Sequence, residues 1–127
     1  MSGDLGAVVY VKDLTVMVSF YTGVFDAVAH QSSDDFVLLT LGDTAVTLVR
    51  MPPEIASTVS ISSPPERRID TPIKLSFAVG SIDAARLSAS AHGGHIDSPD
   101  TEFTFGTVRV CDGYDPEGNV VQVREPA

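Results

Sequence analysis

Apolar and polar positions follow two different periods in the first half of the chain. A short apolar run from Val8 to Val11 predicts a strand, and Asp13 stands where it can cap a following helix. Apolar residues then return at helical spacing, at Met17, Phe20, Tyr21 and Val24. Three further segments, 28–31, 36–41 and 45–50, have the composition of strands. This half therefore predicts a strand, a helix and three more strands.

The second half repeats this order of patterns. The segment 75–79 predicts a strand, Ser81 can cap a helix over 82–91, and Gly93-Gly94 can end that helix. Strands follow again at 95–97, 102–112 and 119–124. A shift of 68 positions places Val11 on Val79, Leu14 on Ile82 and Asp26 on Gly94. The chain is thus predicted to contain two βαβββ units.

A stretch rich in proline and serine, residues 52–71, separates the two units. We expect a single domain over 1–127, with modules at 5–51 and 72–125 joined by this linker. A structureless connection of that length is uncommon inside a compact domain. We favour a simple connection between repeats. The alternative is a lid or a dimer contact with Ile55, Val59 and Ile61 as apolar anchors.

Charge and cysteine content narrow the range of partners. The formal net charge is −9, and the eight basic residues are scattered, so neither nucleic acid nor an anionic membrane surface is an expected partner. Cys111 is the only cysteine, which excludes an intramolecular disulfide and fits a reducing compartment. The segment Met1–Gly6 lacks the features of a signal peptide, and a cytoplasmic location is therefore expected.

The segment 115–122 reads Asp-Pro-Glu-Gly-Asn-Val-Val-Gln, a tight turn that leads into a strand. Pro116 favours the turn, Gly118 and Asn119 tolerate positive φ, and the valines favour a strand. This hairpin and the two βαβββ units resemble the vicinal oxygen chelate superfamily, the group of glyoxalases, bleomycin-resistance proteins and extradiol dioxygenases. The resemblance covers nearly the whole chain. It implies an α+β fold whose two modules form an incomplete eight-stranded, barrel-like cup, and a homodimer with or without exchanged modules.

Alternation along the strands indicates which side chains line that cup, because residues two apart share one face. The more apolar set, which should pack under the helices, is Val9, Val11, Val46, Leu48, Leu75, Phe77, Val79, Val121 and Val123. The opposite set is Gly6, Val8, Tyr10, Ala45, Thr47, Val49, Lys74, Ser76, Ala78, Val120, Gln122 and Arg124. Its polar members favour a wet or ligand-filled concavity over a dry interior.

The resemblance places Gly6, Thr47, Lys74 and Gln122 at the four metal-binding positions of the family. Glycine offers no ligand, threonine is a poor one, and a protonated lysine repels a cation. Because one neutral amide cannot hold a divalent ion against water, we expect no metal and no other cofactor.

Lys74 supports two interpretations. Its ammonium can replace the missing cation and attract an anionic or carbonyl-bearing ligand, with Thr47 and Gln122 hydrogen-bonding beside it. Alternatively, Lys74 pairs with an acid such as Glu102, Asp112 or Asp115 and has a structural role.

Several other residues are candidates for the wall of the cup. Ser76 and Tyr10 belong to the cup-facing set, and Phe105, with Phe103 and Tyr114, can supply aromatic surface. If Val108 and Val110 face the helix, then Arg109 and Cys111 face the cup, where Arg109 can bind a carboxylate or phosphate. His92 and His95 flank the helix-ending glycines and are expected to be surface residues.

The sequence favours a metal-free protein that binds a small organic molecule and sequesters a drug or metabolite. The alternative is an enzyme of the same fold, a lyase, isomerase or dioxygenase-like protein that uses a displaced metal site or acid–base chemistry by Lys74, Tyr10 or Tyr114. A third interpretation is an interaction module without a ligand.

Overall fold

A computed structural model describes residues 5–127, which form nine strands and three α-helices. The first four residues, part of the segment predicted not to be a signal peptide, lie outside this range. The strands are β1 (Gly6–Val11), β2 (Val28–Ser32), β3 (Phe36–Leu41), β4 (Thr44–Arg50), β5 (Leu75–Ala78), β6 (His95–Ile96), β7 (Phe103–Phe105), β8 (Val108–Tyr114) and β9 (Val120–Pro126). The helices are α1 (Leu14–Phe25), α2 (Pro53–Ala56) and α3 (Ile82–Ala91), and a 3-10 turn covers Pro99–Thr101.

The strands form two separate sheets, one in each half of the chain. The first has the order β1-β4-β3-β2, and the second has the order β5-β9-β8-β6 with β7 paired to β8. In each sheet the first strand runs parallel to the last, β1 with β4 and β5 with β9, and the other pairings are antiparallel. The predicted α+β class is confirmed, and the sheets described here do not join into a closed barrel.

Each long helix begins at the cap that the sequence predicts. The Asp13 carboxylate accepts a hydrogen bond from Val16 N at 3.1 Å, and the Ser81 hydroxyl accepts one from Ala84 N at 3.1 Å. α1 ends at Asp26, which adopts the left-handed conformation at φ 58°. The left-handed residue after α3 is Gly93 at φ 86°, one position earlier than the Gly94 that the repeat aligns with Asp26. α3 is shorter than α1, so the alignment of the two ends was wrong by one residue.

The predicted strand 102–112 is a hairpin instead. The chain turns at Gly106, where φ is +62°, so that β7 folds back on β8 with Phe105 opposite Val108 and Phe103 opposite Val110. Phe103, Phe105, Val108 and Val110 consequently share one face of the second sheet. The apolar positions shift from odd numbers, Phe103 and Phe105, to even numbers, Val108 and Val110, across Gly106, and this shift marks the turn.

One hydrophobic core joins the two halves. Phe25 of α1 stacks on Phe77 of β5 with ring centroids 3.9 Å apart, and Tyr21 lies 5.8 Å from the same ring. Most strand residues predicted to face the helices are buried, with Val11, Leu48 and Val123 at 0 % exposure, whereas Val9, Leu75 and Val79 are partly buried. Because one layer of helices covers one side of both sheets, the opposite side, which we call the open face, carries the other set of strand residues.

No helix within residues 5–127 is both long enough and apolar enough to cross a membrane.

Candidate functional site

A groove runs between the two halves of the chain, where β1 and β5 form the adjoining edges of the two sheets. Ala7 of β1 lies on one wall, and Ile73 and Leu75 lie on the other, along the length of the groove. We call it the seam groove. Neither edge strand has a partner strand on this side within the described residues, so the groove is bounded by side chains rather than closed by a ladder.

One end of the seam groove widens into a cavity of about 710 Å³. Most of its lining is apolar. Ser76 and Arg124 of the second sheet reach it from the open face, and Asp26 and Thr44 of the first half also line it. The apolar wall comprises Leu5, Ala7, Phe25, Leu41, Val46, Ile73, Leu75, Phe77 and Ala78. An apolar concavity of this size with a few convergent polar groups is the usual form of a small-molecule site.

Next to the cavity, five polar side chains lie on the open face of the second sheet in a continuous hydrogen-bonded chain, which we call the polar row. Strand register creates it, because Ser76, Gln122 and Asp112 lie side by side on β5, β9 and β8. Arg124 donates to the Ser76 hydroxyl at 2.9 Å, and that hydroxyl donates to Gln122 Oε1 at 2.8 Å. Gln122 Nε2 and Lys74 Nζ both donate to Asp112, at 3.4 Å and 2.7 Å.

Lys74 is therefore part of an ion pair, and its role in ligand binding stays a prediction. Its charge is compensated by Asp112, one of the acids named in the structural alternative, although both side chains remain partly exposed at 41 % and 35 %. Arg124, by contrast, has no acidic group within salt-bridge distance among residues 5–127.

The remaining predicted site residues do not all join the polar row. Thr47 and Tyr10 lie on the first sheet, where Thr47 pairs with Val8 and Tyr10 with Val49, and the Tyr10 ring is 61 % exposed. Phe105 lies on the open face of the second sheet and is 70 % exposed. Of the predicted site residues, Lys74, Ser76 and Gln122 lie together in the polar row, and the others lie elsewhere.

Arg109 and Cys111 require a correction, since both lie on the helix side of β8. Arg109 pairs with Glu125 at 3.3 Å, and the same Glu125 carboxylate accepts a hydrogen bond from Ile82 N at the start of α3. The Cys111 thiol is buried against α3, 3.7 Å from Arg86. The expectation assumed that Val108 and Val110 face the helix. The β7–β8 hairpin places them on the open face instead.

Two members of the polar row were not on the expected ligand-binding set. Asp112 was considered as a structural partner of Lys74. Arg124 was placed in the cup-facing set, because it lies two residues after Gln122 and shares its face, but it was not named among the ligand-binding residues.

The turn 115–119 is buried and fastens the second half to the first. Asp115 accepts hydrogen bonds from the Tyr21 hydroxyl at 2.8 Å and from backbone N–H groups of the turn. Glu117 accepts from Lys12 N and Asp13 N at 2.7–2.9 Å. Both carboxylates of the turn, Asp115 and Glu117, thus accept structural hydrogen bonds.

Burial raises the pKa of both Asp115 and Tyr21. Desolvation raises the pKa of Asp115, against the lowering effect of its hydrogen bonds to Asn119 and Tyr21. Desolvation, reinforced by the neighbouring Asp115 carboxylate, raises the pKa of Tyr21 well above its ordinary value, so the phenol stays protonated and donates.

The linker is pinned to the same turn. Arg68 N donates to Gly118 O at 2.9 Å, and Lys12 Nζ donates to Val59 O. Arg67 pairs with Asp97 at 2.5 Å and lies over the Tyr114 ring. A second hollow of about 860 Å³ lies between Val59, Ile61, Ile69 and Glu117. Its Ile61 and Val59 are partly buried, whereas Ile55 is 52 % exposed.

The residues at the family's metal positions do not fit a metal ion. Gly6 has no side chain, and Gln122 Oε1, the one suitable oxygen, already accepts from Ser76. The Lys74 ammonium forms an ion pair with the neighbouring Asp112 carboxylate, and its charge repels a second cation there. Within residues 5–127 no three His, Cys, Asp or Glu side chains converge on a common point in a way that would hold an ion.

Comparison with known proteins agrees with this architecture. The family model of the Glyoxalase/Bleomycin resistance protein/Dioxygenase superfamily matches residues 6–123, and the chain belongs to this superfamily. No curated protein matches the sequence closely enough to be informative.

Several solved structures share the fold at low sequence identity. The fosfomycin resistance protein FosX from Listeria monocytogenes is 18 % identical, with a TM-score of 0.69 over 100 % of this chain and 95 % of that one. A glyoxalase/bleomycin resistance protein/dioxygenase family enzyme from Burkholderia phytofirmans is 18 % identical, with a TM-score of 0.70 over 96 % and 97 %. An integron cassette protein from V. cholerae is 18 % identical, with a TM-score of 0.66 over 100 % and 97 %. At these identities the likeness shows the fold alone.

Proposed function

We propose that this protein binds a small organic molecule in the seam groove without a metal at the family position. One observation carries the proposal. The apolar cavity and the polar row meet at Ser76 and Arg124, so a single ligand can bury an apolar body and hydrogen-bond its polar end. Sequestration of a drug or metabolite needs no more than this.

FosX offers a concrete probe for the proposal. A second structure of the Listeria protein is complexed with Mn(II) and a sulfate ion. Here the polar row replaces a metal-binding set, so we expect any fosfomycin binding by this chain to be independent of Mn²⁺.

The enzyme alternative draws no support from the geometry. Its proposed acid–base groups are spread over both sheets: Tyr10 lies on β1, Lys74 is paired with Asp112, and Tyr114 lies under Arg67. General acid–base catalysis needs such groups within hydrogen-bond reach of one substrate.

We also propose that the protein is a homodimer. The open face of the first sheet exposes large apolar side chains, with Val8 at 59 %, Tyr10 at 61 % and Val28 at 54 %. Sedimentation of the wild-type chain and of Tyr10→Glu tests this, and a monomeric wild type would contradict it. A cytoplasmic location remains a prediction, consistent with the free, buried thiol of Cys111.

The binding site is tested by filling the cavity. Ala78 is exposed on β5 and lines the cavity, so Ala78→Trp should occupy it without disturbing the core. Ala91→Trp, on an exposed position at the end of α3, is the matched control. A thermal-shift screen of apolar acids, aromatic antibiotics and fosfomycin should find ligands that stabilise wild type and Ala91→Trp but not Ala78→Trp.

Two results would overturn the proposal. One is a screen in which every stabilising ligand also stabilises Ala78→Trp. The other is stoichiometric Mn²⁺, Ni²⁺ or Zn²⁺ in protein dialysed against the metal and then analysed for its metal content, because the polar row leaves no place for that ion.

A further inference from the structure

Lys74, Arg109 and Arg124 are the Lys and Arg residues on or directly beside the strands of the second sheet, and they differ in how they are paired. Four acidic side chains around this sheet each have a basic partner: Asp97 with Arg67, Glu102 with Arg86, Asp112 with Lys74 and Glu125 with Arg109. Arg124 has no such partner among residues 5–127, and its one side-chain hydrogen bond goes to the Ser76 hydroxyl. A guanidinium carries five donors in a planar fork, so most of the hydrogen-bonding capacity of Arg124 is unused.

The surroundings of Arg124 strengthen its attraction for an anion. Its neighbours in register are Ala78 on β5 and Val110 on β8, and Phe103 of β7 continues the same row. Arg124 is partly buried beside these residues, of which Val110 is buried and Ala78 and Phe103 are exposed, so its charge is screened less than that of a fully exposed side chain. It also reaches the 710 Å³ cavity, whose other lining is mostly apolar.

We infer that Arg124 is the anion-binding residue of the seam groove, and that the ligand is an amphipathic organic anion with its apolar body in the cavity. This inference rests on the proposed function, because it assumes that the cavity is the ligand site. The guanidinium binds the anionic group through the N–H groups that Ser76 leaves free, and Ala78, Leu75 and Phe77 contact the apolar body. The anion selectivity is local, since the protein as a whole carries a charge of −9.

Lys74 is the competing cation, and the structure distinguishes the two. An anion at Lys74 would have to share the ammonium with Asp112 at 2.7 Å and approach that carboxylate closely. Arg124 itself has no carboxylate within salt-bridge distance in the described part of the chain, and Asp26, which lines the same cavity, is exposed. Replacing Arg124 by Gln and replacing Lys74 by Gln should therefore affect anion binding differently.

A matched pair of probes tests the inference: 4-phenylbutyrate and its neutral amide, 4-phenylbutanamide, measured by calorimetry. Wild type should bind the acid about tenfold or more tightly than the amide, the effect of a charge-assisted hydrogen bond. Arg124→Gln should remove this preference and Arg124→Lys should retain part of it. Lys74→Gln should weaken it far less than Arg124→Gln does, and Arg109→Gln should leave it unchanged, because Arg109 lies on the helix side. Melting temperatures of all variants establish that they are folded.

The outcomes separate this inference from the proposed function. If both probes bind wild type equally and Ala78→Trp blocks both, the groove is the site and the anion assignment is overturned. If Lys74→Gln abolishes the preference and Arg124→Gln keeps it, Lys74 is the cation and the assignment is again overturned. If neither probe binds wild type, both the inference and the groove as a site for such ligands fail.

Discussion

The two halves of this chain share one topology and use it differently. In the first sheet the open face is apolar and exposed, with Val8, Tyr10 and Val28 among its side chains. In the second sheet the corresponding face carries the polar row, whose Arg124 has no carboxylate within salt-bridge distance among residues 5–127. The closing turns differ as well: the first is a short exposed turn at Gly42-Asp43, whereas the second is buried and bonded to the other half. A repeated backbone therefore does not imply a repeated function.

The largest expected effect compares two phenylalanines. Phe77 is stacked on Phe25 at the contact between the halves, whereas Phe36 is 38 % exposed on the first sheet. Phe77→Ala should lower the free energy of unfolding by about 3–5 kcal/mol, and Phe36→Ala by about 1 kcal/mol or less. Urea unfolding measures both. Equal losses would mean that the halves do not depend on a shared core.

A second comparison changes one carboxylate to an amide in each closing turn. Glu117→Gln places an amide N–H₂ against the N–H groups of Lys12 and Asp13, and should cost about 1–3 kcal/mol. Asp43→Asn, in the exposed turn, should change stability by no more than about 0.5 kcal/mol. A Glu117→Gln protein as stable as wild type would show that the buried turn does not fasten the halves together.

The pH dependence of stability should also differ between the two turns. Because burial raises the pKa of Asp115 in the folded protein, the folded state holds this proton more tightly than the unfolded chain. Its contribution to stability is therefore complete at low pH and is lost as the pH rises from about 4 through the folded-state pKa. Asp115→Asn removes this loss, so the destabilisation caused by Asp115→Asn should shrink between pH 4 and pH 8.

Unfolding curves of wild type and Asp115→Asn across that range provide the measurement, with Asp43→Asn as the exposed control. A destabilisation that grows with pH would show instead that the hydrogen bonds from Asn119 and Tyr21 outweigh desolvation and lower the pKa of Asp115.

The smallest effect concerns the polar row itself. The Lys74–Asp112 pair is partly exposed, so a double-mutant cycle with Lys74→Met and Asp112→Asn should give a coupling energy of about 0.2–1 kcal/mol. A coupling of several kcal/mol would identify the Lys74–Asp112 pair as a structural support of the second sheet rather than as part of the ligand site.

Local patterns predicted most of the secondary structure, and non-local packing decided the site. The helix over 82–91 and the strand over 36–41 match their observed bounds, because caps and alternation fix them within a few residues of sequence. The β7–β8 hairpin was missed, although the apolar positions shift from odd to even numbers across Gly106. The seam groove depends on how two sheet edges meet, and the pairing of Lys74 with Asp112 depends on register across three strands. Neither is written in the spacing of any one segment.

The bonds from Glu117 to Lys12 and Asp13 span 105 and 104 residues of sequence. During synthesis these two N–H groups, which directly precede the first helix, cannot bond to Glu117 until residue 117 has been added to the chain. Until then they are left to water. Contacts of such long sequence separation are associated with slower folding.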